Sequence, residues 1–165
     1  VSQYRYNVPG TFFAITRKTV LLLGSFTPER KAVLDALREA LRARDHIAIL
    51  FDFEKPATRS FTETVSTFAH LARFVIADLT DASSVAITLH QIVSALPSVP
   101  VQPIILASHH EHEMFSDLAH YSSVLPTYRY ESTETLLSSL EEAVIAPALD
   151  KVRELADQRR SIGHS

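Results

Sequence analysis

Thr19-Val20-Leu21-Leu22-Leu23-Gly24-Ser25-Phe26-Thr27-Pro28-Glu29-Arg30 is the stretch whose reading decides the fold. Thr19–Leu23 is a continuous apolar run of strand length, the pattern of a strand covered on both faces, as in a parallel sheet. Gly24 breaks it. Thr27-Pro28-Glu29 then offers a hydroxyl for an N-cap, a proline suited to the first helical position and an acid near the positive end of the helix dipole. A helix is predicted from there, with Val33, Leu34, Leu37 and Leu41 as one buried stripe and Lys31, Arg38 and Arg42 facing water. It ends near Arg44-Asp45.

The same grammar repeats along the chain. His46–Phe51 is a second strand running into Asp52-Phe53-Glu54-Lys55-Pro56, and Ser60 or Thr62 can cap a helix through Val65, Phe68, Ala69 and Leu71. Arg73–Ala77 is a third strand running into Asp78-Leu79-Thr80-Asp81, before a third helix through Val85, Leu89, Ile92 and Val93. Val101–Leu106 is a fourth strand, whose Pro103 suggests an amide not needed by a central ladder. A short helix through Phe115 and Leu118 precedes a fifth strand, Val124–Tyr130, placed at an edge because Pro126 interrupts it. Ser132 to about Arg159 is helical, kinked or divided at Pro147.

Strands alternating with helices at this period predict an α/β fold, a flavodoxin-like three-layer sandwich with a five-stranded parallel sheet of order 2-1-3-4-5. The loops after the first three strands then converge on one sheet edge, with the ligand crevice between the first and third strands. Residues 1–18 read as an N-terminal appendage or linker remnant and 19–160 as the α/β domain. A start at Val rather than Met suggests a piece of something longer.

Composition narrows the function classes. Formal net charge is −3 with both signs scattered, which offers no footprint for a nucleic-acid backbone. There is no cysteine, hence no disulfide, thiolate nucleophile or thiolate metal site, and cytoplasmic residence is the expectation. No apolar stretch approaches the roughly 20 residues needed to span a bilayer. The imidazoles and carboxylates of His109-His110-Glu111-His112-Glu113 suit a transition metal, but neighbouring side chains diverge and no distant ligand is evident, so no metal is expected.

Five stretches carry a resemblance: Leu22–Lys31, Leu50–Pro56, Thr62-Glu63-Thr64, Arg73–Asp81 and Pro100-Val101-Gln102-Pro103. In these the chain resembles bacterial TIR-like domains, relatives of Toll/interleukin-1 receptor domains, of the kind fused to pentapeptide-repeat and other multidomain proteins. The resemblance implies a flavodoxin-like fold, self-association, an upstream domain and, in some members, cleavage of NAD or synthesis of a cyclic ADP-ribose signal. It also implies a catalytic glutamate on the third helix, in a Ser-Ile/Val-Pro-x-Glu-Leu run. Here that run is Ser84-Val85-Ala86-Ile87-Thr88-Leu89, with Thr88 at the glutamate position. Departure of nicotinamide builds positive charge on the ribose, which a carboxylate stabilises and a hydroxyl does not.

The expected function is therefore a self-associating TIR-like signalling or effector module with weakened or absent catalysis. No cofactor is required, and NAD or a related nucleotide is the candidate ligand. Glu54 and Asp78 are the carboxylates placed to replace the missing acid. Gly24, Ser25, Phe26, Asp52, Asp78, Ser83 and Ser84 are the candidate nucleotide-binding residues, the first three through backbone amides at a helix terminus. An active NAD nucleosidase or a deoxyribosyltransferase-like enzyme is the alternative.

Overall fold

The fold was analysed in a computed structural model, which describes residues 17–52, 59–81, 85–110 and 113–163. The strands are β1 (Thr19–Gly24), β2 (Ile47–Asp52), β3 (Phe74–Asp78), β4 (Val101–Leu106) and β5 (Tyr128–Tyr130). They form one all-parallel sheet of order β2-β1-β3-β4-β5. The sheet is thus flavodoxin-like, with its direction of build reversing between β1 and β3.

Helices cover both faces because successive strand residues point to opposite sides. Val20 and Leu22 of β1 pack with Phe74, Ile76 and Ile104 against α1 (Pro28–Ala43), whose buried residues include Val33, Leu34, Leu37 and Leu41. Leu21 and Leu23 pack with Val75, Ala77 and Ile105 against α2 (Arg59–Leu71) and α3 (Val85–Ala95). A 3₁₀ segment, Glu113–His120, closes the second layer through Phe115 and Leu118.

Proline shapes the other half of the sheet. β4 lies between β3 and β5, so Pro103 sits in an interior strand rather than outside a central ladder. Val101 bonds to Ser123 and Leu125, whereas Ile104 accepts from Leu79, and this alternation turns the missing Pro103 amide toward β5. Buried Gln102 compensates there: its Nε2 donates to Pro103 O at 2.9 Å and to Pro126 O at 2.8 Å. β5 is accordingly shorter than the predicted Val124–Tyr130, leaving a single isolated bridge from Val124 to Val101.

The C-terminal helix is divided as Pro147 requires. After α4 (Thr133–Ser138), capped by the Ser132 side chain, the backbone widens into a π-helical turn, Glu141–Ile145, before α5 (Ala146–Gly163). The Ala146 N–H donates to Glu141 O, five residues back. Widening at this point accommodates a proline ring that would collide with an α-helical carbonyl.

A buried polar network at the carboxyl edge of the sheet

α1, β3 with the turn after it, and β5 deliver four polar side chains to the same end of the sheet, on the α1 side. Asp78 closes β3, and its Oδ1 accepts from Thr80 Oγ1 at 2.7 Å and from the Thr80 amide at 3.2 Å, an Asx-type turn. Tyr130 reaches across from β5 and donates to Asp78 Oδ2 at 3.3 Å. Arg30, in the first turn of α1, donates from Nη1 to the Tyr130 hydroxyl at 3.2 Å. Thr80 Oγ1 in turn accepts from the Leu106 amide at 3.0 Å, tying the turn to β4.

All four residues are buried, with Asp78 only 1% exposed. Burial raises the Asp78 carboxyl above the usual carboxylate range, against the opposing pull of the Thr80 hydrogen bonds and the Arg30 charge. The same desolvation, with the neighbouring Asp78 charge, pushes the Tyr130 hydroxyl up to about 12. A carboxylate, a guanidinium and two hydroxyls in one dry pocket stabilise one another only while all are present. The arrangement is a rigid brace between α1, β3, β4 and β5.

The turn after β1 is short and filled. A Cβ on Gly24 would lie 2.9 Å from Leu34 Cδ1, so glycine here lets α1 approach the strand. Ser25 is buried, and its hydroxyl has no hydrogen-bond partner among the described residues. The Phe26 amide donates to Asp52 Oδ1 at 3.2 Å, tying the turn to the end of β2, and Lys31 Nζ lies 5.9 Å from the Phe26 ring centre. Thr27 occupies the N-cap position without a side-chain cap bond; its carbonyl accepts from Lys31.

The structure thus brings Gly24, Ser25, Phe26, Asp52 and Asp78 to one sheet edge, as the strand order requires. Glu54, Ser83 and Ser84 lie outside the described residues. Thr88 falls within α3, and its side chain is outside what the structure describes. Asp81, whose backbone has a positive φ of 56°, pairs with His109 Nε2 at 3.1 Å. His109 itself is half-exposed at the end of β4, and His112 is outside the described residues.

Sequence reasoning missed Arg30, Thr80 and Tyr130 as site residues. One signal was available: Arg30 precedes Val33, Leu34, Leu37 and Leu41 at spacings of three, four, seven and eleven, and so stands on the apolar stripe. A charge on a buried stripe requires a buried partner. Tyr128-Arg129-Tyr130 does alternate as a strand, with Tyr130 buried and Arg129 exposed and donating to His109 O at 3.0 Å. The alternation gave no sign that the Tyr130 hydroxyl lies beside Asp78.

No family model and no curated protein matches the chain. Among solved structures it is similar to the crystal structure of a diflavin flavoprotein A3 from Nostoc sp., with a TM-score of 0.58 and 11% identity over 90% of this chain and 98% of that one. A solution structure of a diflavin flavoprotein A3 from Nostoc sp. gives a TM-score of 0.52 and 14% identity over 89% of this chain and 98% of that one. Fold and similarity together define the class: a flavodoxin-like α/β domain with a braced carboxyl edge.

Proposed function

We propose that the chain is a self-associating signalling module of the TIR-like kind that receives the ribose of an NAD-like nucleotide without cleaving it. The observation that carries this reading is the withdrawal of Asp78 from the crevice. Its carboxylate is buried and occupied by Thr80 and Tyr130 beside Arg30, so it is not presented to a ribose as a replacement for the glutamate that Thr88 displaces.

Asp52 supports the ribose-binding half. It ends β2 beside the β1–α1 turn, the placement from which an acid accepts hydrogen bonds from ribose hydroxyls in dinucleotide-binding sheets. A phosphate of any nucleotide, flavin or NAD-like, fits this turn poorly, so the reading is confined to the ribose contact, although the solved neighbours are named flavoproteins. The Phe26 amide already serves the Asp52 carboxylate, whose charge repels a phosphate, and Arg30 is directed inward. Edge strand β2 supports self-association: Ile47 is exposed, and Ala48, Ile49, Leu50 and Phe51 are only partly covered.

The test incubates the concentrated chain with NAD, follows nicotinamide release and NAD binding, and measures mass by sedimentation across a concentration series. We expect saturable binding weakened by Asp52→Ala, no nicotinamide, and mass that rises reversibly with concentration. Nicotinamide release by the unaltered chain overturns the non-catalytic reading in favour of an NAD nucleosidase. A strict monomer at high concentration overturns assembly.

A further inference from the structure

The opposite, amino end of the sheet has a cavity of about 400 Å³ between the ends of α2 and α3 and the side of α5. Its lining includes Arg73, Arg159 and His70, and among the described residues it includes no aspartate or glutamate. Arg73, which leads into β3, is half-buried; its Nη1 donates to Arg17 O at 3.2 Å, but its buried Nε has no hydrogen-bond partner among the described residues. Burial, with the like charges of Arg17 and Arg153, pushes the Arg73 guanidinium below its usual range.

Cations normally gather at a site only where an anion balances them. Nearby Arg153 lies 3.5 Å from Asp150, an exposed contact that leaves Arg73 and Arg159 without a described carboxylate. The carboxyl ends of α2 and α3 bring about half a negative charge each. That offsets part of the charge without giving Arg73 Nε an acceptor. Apart from Ser98, the remaining walls are apolar, Leu96, Val99 and Val152 among them.

We propose that this cavity binds an organic phosphate, its dianionic head held by Arg73 and Arg159 and its carbon body lying on Leu96, Val99 and Val152. Two guanidiniums match a dianion, whereas a single carboxylate leaves one of them unbalanced. Arginine's fixed fork suits phosphate oxygens. A second cavity of about 340 Å³, lined by Arg38, Glu39, Arg42 and His46, differs in kind because Glu39 is in its lining and Arg38 already pairs with Asp35 at 3.4 Å.

Phenyl phosphate is the probe, with inorganic phosphate as the head alone and benzoate as the carboxylate control. Titration into the full chain, followed by the arginine Nε–H resonances, is expected to saturate and to shift Arg73 and Arg159 first. Phenyl phosphate should bind more tightly than either control. Arg159→Gln, at an exposed helix position, should weaken binding about tenfold, and Arg73→Gln at least as much. Arg38→Gln should leave it unchanged. Affinity retained in both Arg73→Gln and Arg159→Gln, or benzoate binding as tightly as phenyl phosphate, overturns the site. With soluble binding established, co-sedimentation with phosphatidic acid vesicles assigns the head to a lipid, and its absence assigns it to a free metabolite.

Discussion

The two ends of the sheet treat buried charge in opposite ways. At the carboxyl edge, Arg30, Tyr130, Asp78 and Thr80 answer one another, each residue bonded to at least one of the other three and the Arg30 charge facing the Asp78 carboxyl, although Arg30 Nε has no partner among the described residues. At the amino end, Arg73 faces three further arginines, Arg17, Arg153 and Arg159, and a cavity without a described acid. A charge-balanced cluster holds the fold together. An unsatisfied one waits for a ligand. The difference separates the Asp78 network from the catalytic role that its position at a strand end suggests.

The largest expected effect is at the brace. Asp78→Ala leaves Arg30 and Tyr130 buried without the carboxylate, and should cost about 3 kcal/mol in denaturant unfolding. Asp78→Asn keeps an acceptor without the buried charge and should cost less. Because burial raises the Asp78 pKa above its unfolded value, the linked stability is fully present below the unfolded pKa of about 3.9 and is lost as pH rises through the folded one. In Asp78→Asn that loss should vanish, flattening stability against pH above 4. An Asp78→Ala variant as stable as the parent would break the comparison.

Tyr130→Phe comes next. It removes the hydroxyl that joins Arg30 to Asp78 and should cost about 1–2 kcal/mol. The Tyr130 pKa of about 12 is also raised, so its linked stability is whole below about pH 10 and declines from there toward pH 12. Alkaline unfolding should accordingly begin at a lower pH in the parent chain than the Phe variant's own stability loss would suggest, and the Phe variant should lack this step.

Ser25→Ala runs the other way. Its hydroxyl is buried without a partner among the described residues, so the substitution should raise stability by about 1 kcal/mol, visible as a higher unfolding midpoint. A fall would mean that the hydroxyl has a bonded water. The smallest effect is expected at the amino end, where Arg73→Met removes a cation with no acid partner among the described residues. Stability should change by no more than about 0.5 kcal/mol, while phenyl phosphate binding disappears. A large loss there would make Arg73 a structural residue like Arg30.

The strands, the order 2-1-3-4-5 and the helix after Pro28 were legible because apolar runs of strand length alternate with stripes of helical period. Strand boundaries moved by a residue or so, except at β5, where Pro126 cannot join a ladder. Pro103 lies in an interior strand, and its missing amide, turned toward the β5 side, is offset by the neighbouring Gln102, whose Nε2 also donates to Pro126 O, twenty-four positions further along the chain. Local pattern carries no information about such compensation.

What the sequence determined alone is the layer architecture, because periodicity is a property of neighbours along the chain and parallel strands demand crossovers of one hand. It also determined which residues reach the carboxyl edge, Gly24, Ser25, Phe26, Asp52 and Asp78 among them. Only the tertiary structure decided what those residues do there. Arg30 and Tyr130 are separated by a hundred positions, and Asp78 becomes a brace rather than an exposed acid because folding brings both to it and removes the water that would otherwise solvate its charge.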